Sequence, residues 1–287
     1  MLAGFAARAE EVRKSREDVA FIAGKDAGAD LKRMFVKHAS FDVSRAFGEA
    51  ASSEEVYAVA AEPMVRGALA GGVGALFMYG QTGSGKTHTM EAIETAVVSA
   101  LFNSGAVKNV TVAYFEIAGK KVTDLLSPAR AEISIKEYRQ LDVLLLGAVE
   151  PKASTASELA AIVAAGKSRR ATSATHCNAA SSRSHAVLRL TCALRDGSAH
   201  TGRLTLVDCA GSERKEDNMH HSADQRKETA EINASLYALK ECVRMPKNAA
   251  DAGHVHVPYR SSHLTRVLME CFVRPDAQLG VIGTVSP

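Results

Sequence analysis

Cysteine is scarce in this sequence of 287 residues, and the cysteines it has are widely spaced. There is no Cys-x-x-Cys pair, and the number of cysteines is odd. A chain of this length can bury most of the surface that its unfolded form exposes, so it needs no disulfide or metal to stabilise its core. We therefore exclude a disulfide-rich scaffold and expect reduced, buried thiols of the cytosolic kind. The five residues are Cys177, Cys192, Cys209, Cys242 and Cys271.

Net charge and long apolar runs are lacking too. Lys plus Arg number 35 and Asp plus Glu 32, a formal net charge of +3. This balance provides no strong whole-molecule field for nucleic acid, so an acidic partner would have to meet a local basic patch. No stretch approaches about 18 uninterrupted apolar residues, the minimum for a transmembrane helix. Residues 10–14 include four charged side chains, unlike the apolar core of a signal peptide. We expect neither a nucleic acid nor a membrane as partner.

Apolar runs and periodic apolar faces predict an α/β protein with no repeat and no linker, hence one domain over residues 1–287. Residues 1–33 are the least informative part. Ser52 begins a capping-box pattern, and Pro63 predicts a kink in the helix that follows. Strands are predicted at 35–42, 73–79, 110–117, 186–194 and 203–207, the last two joined around Asp196-Gly197. A short element is predicted at 122–126, and helices after 52, after 86, at 157–167 and over 232–243.

The segment from Gly80 to Thr87 fits the pattern G-x-x-x-x-G-K-[ST], between a predicted strand and a predicted helix. Its glycines let backbone N–H groups turn toward phosphates, and the helix adds its positive N-terminal end. Lys86 is expected to reach the β- and γ-phosphates, and Thr87 to ligate Mg²⁺. The alternative is a flexible Gly/Ser loop, which would not require Lys-Thr at this offset.

Two further polar clusters follow predicted strands or precede them. Asp208 ends the apolar run at 204–207, where an acid can hold Mg²⁺ through water, and Gly211 offers a backbone N–H to a γ-phosphate. Taken alone, Asp208 would be a helix cap or a turn residue. The segment 178–185 carries several hydroxyls beside Arg183. The hydroxyls can ligate Mg²⁺ or place a water, and Arg183 can pair with a carboxylate. Composition alone favours a polar surface loop there.

These segments, with several others in the same order, resemble the motor domain of kinesins. Gly80 to Met90 is similar to the kinesin phosphate loop, 178–185 to switch I, and 208–214 to switch II, with Cys209 where Leu is usual. Tyr114-Phe115-Glu116-Ile117, Asp124-Leu125-Leu126, Ile232-Asn233-Ala234-Ser235-Leu236 and Val257-Pro258-Tyr259-Arg260 match further kinesin segments. The resemblance implies a P-loop NTPase of the kinesin motor type, with a central mostly parallel mixed sheet and helices on both faces.

The resemblance also implies an ATPase that uses ATP and Mg²⁺ and is stimulated by microtubules. Arg183 would pair with Glu213 and close the site around the γ-phosphate. The implied catalytic residues are Ser182, Arg183, Gly211 and Glu213; the nucleotide-binding residues are Gly80, Gln81, Thr82, Gly83, Ser84, Gly85, Lys86, Thr87 and His88; and the metal-binding residues are Thr87, Ser182 and Asp208.

A basic surface near the C-terminus is the implied contact with tubulin. It consists of Lys240, Arg244, Lys247, Tyr259, Arg260 and Arg266. On sequence alone, a solvated helix face explains these charges equally well. The partner would place the protein in the cytoplasm, on the microtubule cytoskeleton. Oligomeric state is left open.

The run from Ser222 to Arg244 resembles kinesin-13, the class that depolymerises microtubule ends. Some family features are not evident: the Arg-x-Arg-Pro adenine contact of the first strand is missing, and Ala234 and His263 stand where Lys is usual. We also expect the final helix and neck of the family to be absent. Three alternatives therefore stay open: a nucleotide-dependent tubulin-binding module with weak ATPase, a transport-type motor, and a P-loop kinase.

Overall fold

In the computed structural model, the described residues are 43–138, 142–174, 180–196, 201–212, 223–245 and 257–285, together with the backbone of three short strands nearer the N-terminus. The strands are β1 Leu2–Ala3, β2 Ala23–Gly24, β3 Arg33–Met34, β4 Val73–Gly80, β5 Val107–Ala118, β6 Lys121–Asp124, β7 Ser134–Tyr138, β8 Asp142–Leu146, β9 Lys152–Ala153, β10 His185–Leu194, β11 Thr201–Asp208 and β12 Gln278–Thr284. The helices are α1 Ser53–Ala60, α2 Glu62–Leu69, α3 Lys86–Asn103, α4 Ala156–Ala174, α5 Ala180–Arg183, α6 Ala223–Arg244, α7 His263–Val267 and α8 Met269–Val273, with a 3₁₀ turn at Tyr259–Ser261.

One mixed sheet of eight strands organises the chain, in the order β1-β12-β4-β11-β10-β5-β6, with β9 beside β5. The pairs β1–β12, β12–β4 and β4–β11 are parallel. The pairs of β10 with β11 and β5, and of β5 with β6 and β9, are antiparallel. The predicted mixed sheet is confirmed. Its parallel half contains β4 and β11, which carry the phosphate loop and Asp208 at their carboxyl ends.

Helices cover both faces of the sheet, as predicted. Strand β4 is apolar throughout, as expected for a central strand buried on both sides. Its Leu76 and Met78 pack with α1, α2, α3 and α4, whereas Ala75 and Phe77 face α6, α7 and α8. The period of two along β4 therefore divides the interior into two cores, one on each face.

The helix predicted after Ser52 is two helices rather than one kinked helix. Ser52 caps α1 through its Oγ, which accepts a hydrogen bond from Glu55 N at 3.2 Å. The chain breaks at Ala61, and Pro63 lies in the first turn of α2. Proline is favoured there because the first turn of a helix has no acceptor for its N–H.

Several elements were not predicted from the sequence. The β7–β8 hairpin and strand β12 are the largest of these. The predicted strand at 35–42 and Gly197 of the predicted turn lie outside the described residues. Strands β10 and β11 pair antiparallel as predicted. Among the described residues, no helix is long and apolar enough to cross a membrane.

Candidate nucleotide site

The phosphate loop lies between the end of β4 and the start of α3, the predicted order of strand, loop and helix. Gly83 and Gly85 have φ values of 80° and 89°, in the left-handed region that favours glycine. A Cβ built on either residue would meet nothing within 4 Å, so the space beside both glycines is open. Helix α3 has 18 residues and begins directly after Gly85, and its first N–H groups have no acceptor within the helix. The loop is therefore shaped as an anion cradle.

Lys86 is buried, with 6% of its surface exposed, in the first turn of α3. Its Nζ donates to the carbonyl oxygens of Gly80 at 2.9 Å and Gln81 at 2.7 Å. These contacts hold the ammonium group inside the loop rather than in solvent. Among the other predicted nucleotide contacts, Gln81, Thr82 and His88 are exposed at the mouth of the site.

The end of β12 supports the loop from the side. Ser84 Oγ lies 2.6 Å from Thr284 Oγ1 and donates to Gln81 O at 2.7 Å. A Cβ on Gly80 would come within 2.4 Å of Thr284 O, so this position has no room for a side chain. Strand β12 thus supports the loop at its start, Gly80, and at Ser84.

Asp208 joins the loop at the end of β11. Its Oδ2 accepts hydrogen bonds from Thr87 Oγ1 at 2.8 Å and from Arg170 Nη1 at 2.6 Å. Its Oδ1 is buried and has no hydrogen-bond partner. A buried carboxylate oxygen without a partner is costly, and it is a suitable acceptor for a water on Mg²⁺. The predicted association of Thr87 with Asp208 is what the fold produces, and the pair fits a magnesium ion.

Arg170 is the main site residue that the sequence did not reveal. It lies on α4 and also donates to Ser184 O at 3.2 Å. Burial acts to lower the pKa of its guanidinium, but the charge and hydrogen bond of Asp208 outweigh burial and raise it. One signal was available: Arg170 shares an apolar face with Leu159 and Val163, both buried. An arginine on such a face requires a buried carboxylate.

The two switch segments touch each other through the backbone. Gly211 N donates to Ser182 O at 2.9 Å, and Ser212 N donates to Gly80 O at 3.1 Å. Ser182 and Arg183 form the end of the short helix α5, immediately before β10. Glu213 lies outside the described residues, so its pairing with Arg183 stays a prediction. The structure therefore brings Ser182, Gly211 and the phosphate loop together.

A family model described as the kinesin motor domain matches residues 6–287. The chain belongs to the kinesin motor domain family. The relatives include the diatom spindle kinesin-1 of Cylindrotheca fusiformis, 39% identical over 259 residues, which cover 88% of this chain and 40% of that protein. The kinesin-like protein KIF24 is 33% identical in mouse and 34% in human, over 96% and 92% of this chain. These alignments cover 21% and 20% of the KIF24 proteins, so the chain spans less than half the length of these relatives.

Solved kinesins have the same fold. The structure of a fast kinesin, described for its ATPase mechanism and its interactions with microtubules, has a TM-score of 0.74 and 28% identity over 100% of this chain and 84% of that one. The motor and motor homology domain of Kar3Vik1 has a TM-score of 0.71 and 28% identity, covering 85% of this chain and 66% of that one. The expected P-loop kinesin fold is confirmed, and the family is one of ATP-hydrolysing motors.

Switch I of this motor domain is anchored at its base by a buried carboxylate. Ser184 Oγ donates to Glu116 Oε1 at 2.5 Å, and Arg130 Nη2 donates to Glu116 Oε2 at 2.7 Å. Glu116 belongs to the kinesin-like segment on β5, to which the sequence assigned no role. The contacts fix the residue that follows Arg183, and therefore limit where the switch I segment can hinge.

A half-buried ion pair lies beside Thr87 and Asp208, in which Glu94 is buried and Lys167 is partly exposed. Glu94 on α3 and Lys167 on α4 are 2.6 Å apart, and they line a cavity of about 240 Å³ together with Thr87, Tyr114 and Asp208. Burial raises the pKa of Glu94, and Lys167 partly offsets this. The same burial raises the pKa of the Tyr114 hydroxyl.

Several of the cations that the sequence predicts to contact tubulin have partners within the chain. Arg260 makes hydrogen bonds of 2.7 to 3.1 Å with both oxygens of Glu137 on the β7–β8 hairpin. Arg244 pairs with Glu241 at 3.2 Å. Arg266 Nη2 donates to Arg260 O at 3.4 Å, and Tyr259 stacks on Arg260 with the guanidinium carbon 4.9 Å from the ring centre. Lys247 lies outside the described residues.

Lys240 belongs to the set of cations predicted to contact tubulin and also contacts the strand that carries the phosphate loop. It is exposed on α6, and its Nζ lies 5.0 Å from the centre of the Tyr79 ring. Tyr79 immediately precedes Gly80 of the phosphate loop. A cation over an aromatic face is attracted by the ring, so this contact joins α6 to the strand that carries the loop.

Proposed function

We propose that this motor domain binds ATP with Mg²⁺ and hydrolyses it at a rate that microtubules increase. The observation that carries this proposal is the group formed by Thr87, Asp208 and Arg170 at the mouth of the phosphate loop. Asp208 uses one oxygen for two hydrogen bonds and leaves the other, buried, without a partner. Mg²⁺ with its waters supplies donors for such an oxygen.

The loop and its neighbours supply the binding groups. Backbone N–H groups from Gly80 to Thr87 surround the phosphates, with Gln81, Thr82 and His88 at the exposed edge. Lys86 exchanges its contacts with Gly80 O and Gln81 O for phosphate oxygens. Thr87, Ser182 and Asp208 hold the metal, directly or through water. When bound, Mg²⁺ neutralises charge that develops on the phosphate oxygens.

Hydrolysis at such a site requires positioning rather than a side-chain nucleophile. We assign Ser182 to orient the attacking water and Arg183 with Glu213 to close the site over the γ-phosphate. Gly211 N–H, which donates to Ser182 O at 2.9 Å, is the group that can turn to a γ-phosphate instead. This choice of acceptors links nucleotide state to the relative position of the two switches.

The proposed partner is tubulin, through Lys240, Arg244, Lys247, Tyr259, Arg260 and Arg266, and the proposed location is the cytoplasm, on microtubules. A net charge of +3 cannot attract an acidic lattice by itself, so this local cluster has to provide the attraction. For the whole protein we propose removal of tubulin from microtubule ends. The support is the run Ser222 to Arg244, which resembles kinesin-13.

Phosphate release, measured with and without microtubules, tests the proposal. We expect slow basal release that microtubules increase, and no release above background from Lys86→Ala. Lys108→Ala removes an exposed lysine far from the loop and is the matched control, which should keep wild-type turnover. Undiminished turnover by folded Lys86→Ala would overturn the assignment of the site. Nucleotide-dependent binding to microtubules with no stimulated release would instead identify a tubulin-binding module.

A further inference from the structure

His185 is fully enclosed between the nucleotide site and helix α6, with 1% of its surface exposed. Its Nδ1 accepts a hydrogen bond from Ala210 N at 3.1 Å, and its Nε2 lies 2.8 Å from Ser235 Oγ. Ser235 Oγ also lies 2.7 Å from Ile232 O, an acceptor. A hydroxyl has one proton, so Ser235 donates to Ile232 O and accepts from Nε2–H. The hydrogen bonds are consistent with a neutral imidazole in a single tautomer.

The two partners of His185 belong to segments with different tasks. Ala210 lies between Asp208, which holds Thr87 and Arg170, and Gly211, which donates to Ser182 O. Ser235 lies on the buried side of α6, opposite a face that exposes Tyr237, Lys240 and Arg244. Tyr237 is 63% exposed. The imidazole of His185 therefore bridges the backbone at Ala210, next to the phosphate loop, and the buried side of helix α6 at Ser235.

We propose that His185 is a positioning residue that couples α6 to residues 208–211, so that tubulin bound on the outer face of α6 changes the placement of Gly211. This inference rests on the proposed function. A hydrogen bond tolerates only a few tenths of an ångström around about 2.9 Å, and buried groups strongly resist losing their partners. A shift of α6 at Ser235 is therefore passed through the rigid ring to Ala210.

The contacts on each side of the His185 ring support the transmission of a shift from α6 to residues 208–211. Ala210 N–H and Gly211 N–H are adjacent donors, one on His185 and one on Ser182 O, so they move together as one piece of backbone. Lys240 contacts Tyr79 one and a half turns farther along α6. Helix α6 is therefore linked to the nucleotide site by the Lys240–Tyr79 contact and by the hydrogen bonds of His185, and Cys209 and Ala210 also share a hydrophobic cluster with α6.

The test removes one hydroxyl. Ser235→Ala places a strong helix former at this position and deletes the acceptor of Nε2–H. We expect microtubule-stimulated kcat to fall at least fivefold, since coupling between two sites corresponds to about 5- to 150-fold. The microtubule concentration for half-maximal stimulation should stay within twofold of wild type, because the outer face of α6 is unchanged. Ser235→Thr restores the hydroxyl and should recover most of the stimulated kcat.

Cys242→Ala is the matched control, because Cys242 is buried on α6 two turns beyond Ser235 and is not one of the hydrogen-bond partners of His185, which are Ala210 and Ser235. It should keep stimulated kcat. If Ser235→Ala does not fold, His185→Asn makes the same test, since an amide can still accept from Ala210 N–H but is too short to reach Ser235. Full stimulation in either folded variant, or an equal loss in Ser235→Thr, would overturn the inference alone. Wild-type turnover that microtubules do not raise would overturn the proposed function and this inference with it.

Discussion

At the scale of single residues, burial decides what an arginine–carboxylate pair contributes. Arg170–Asp208 and Arg66–Glu62 share an N–O distance of 2.6 Å. The first pair is 8% and 5% exposed at its side chains, whereas the second is 64% and 40% exposed. Water screens the exposed pair and cannot screen the buried one.

We expect Arg170→Gln to lower the free energy of unfolding by about 3 to 5 kcal/mol, because it leaves the Asp208 charge buried and unpaired. The same change at Arg66 should cost about 0 to 1 kcal/mol. Urea denaturation of the two variants beside wild type measures both. Equal losses in the two variants would show that Asp208 does not depend on Arg170.

A buried histidine makes a second residue-scale prediction, on pH. Burial first, and the Arg170 charge second, lower the pKa of His185 from 6.5 to about 3. Between these values the unfolded state binds the proton and the folded state does not. The stabilisation is therefore complete above pH 6.5 and is lost as pH falls toward 3.

The loss from His185 should be about 1.4 kcal/mol for each pH unit below about 6. Denaturation at pH 7, 6 and 5 measures it, with His185→Asn as the reference that lacks the group. Glu94 has the opposite sign because its pKa is raised, and the comparison removes its contribution. Parallel curves for wild type and His185→Asn would contradict the prediction.

At the scale of elements, the sequence predicts those elements whose structure is determined by residues adjacent in the chain. The phosphate loop could be predicted because eight adjacent residues, with a strand before and a helix after, define it. Strand β12 could not, since Gly280 and Gly283 weaken its strand pattern. Gly280 is explained only by packing: a Cβ there would come within 2.4 Å of Met64 Cε.

Contacts between distant elements were equally hidden. Arg170 and Asp208 are 38 residues apart, and His185 and Ser235 are 50 apart. A residue pattern records that a polar group is buried, but not which element will meet it. The β7–β8 hairpin was missed because only one or two residues of each five-residue strand are buried, too few to make a strong periodic signal.

The β7–β8 hairpin leads to an element-scale prediction, because its Glu137 occupies the Arg260 guanidinium that is proposed to bind tubulin. The hydrogen bonds from Arg260 lower the pKa of Glu137 and keep it charged. If Arg260 binds an acidic surface of tubulin, Glu137 competes for it. Glu137→Gln should therefore tighten microtubule binding severalfold at low salt, and Arg260→Ala should weaken it. Co-sedimentation across a salt series measures both effects, which screening reduces as salt rises.

The control for this prediction is the double variant. Removing any negative charge from this surface would favour an acidic partner, so Glu137→Gln is also made in the Arg260→Ala background. Competition between Glu137 and tubulin predicts that the gain disappears there. A gain of the same size with and without Arg260 would show that Glu137 acts only through its charge.

At the scale of the whole molecule, depolymerisation requires differential affinity and not merely tight binding. A motor shifts tubulin toward a curved form by no more than the ratio of its affinities for curved and straight tubulin. ATP turnover then releases the motor from the detached dimer. The coupling proposed through His185 would connect the helix that we propose to meet tubulin with the site that hydrolyses ATP.

We therefore predict that the whole protein shortens stabilised microtubules from their ends when ATP is present. Fluorescence imaging of single microtubules measures the rate of shortening, and the same protein carrying Lys86→Ala is the control. That variant should remove few dimers, because a motor that cannot hydrolyse ATP stays on the first dimer that it detaches. Steady directional runs along the lattice with constant microtubule length would place this protein among transport motors, since walking requires tight binding to straight tubulin and gains nothing from a preference for curvature.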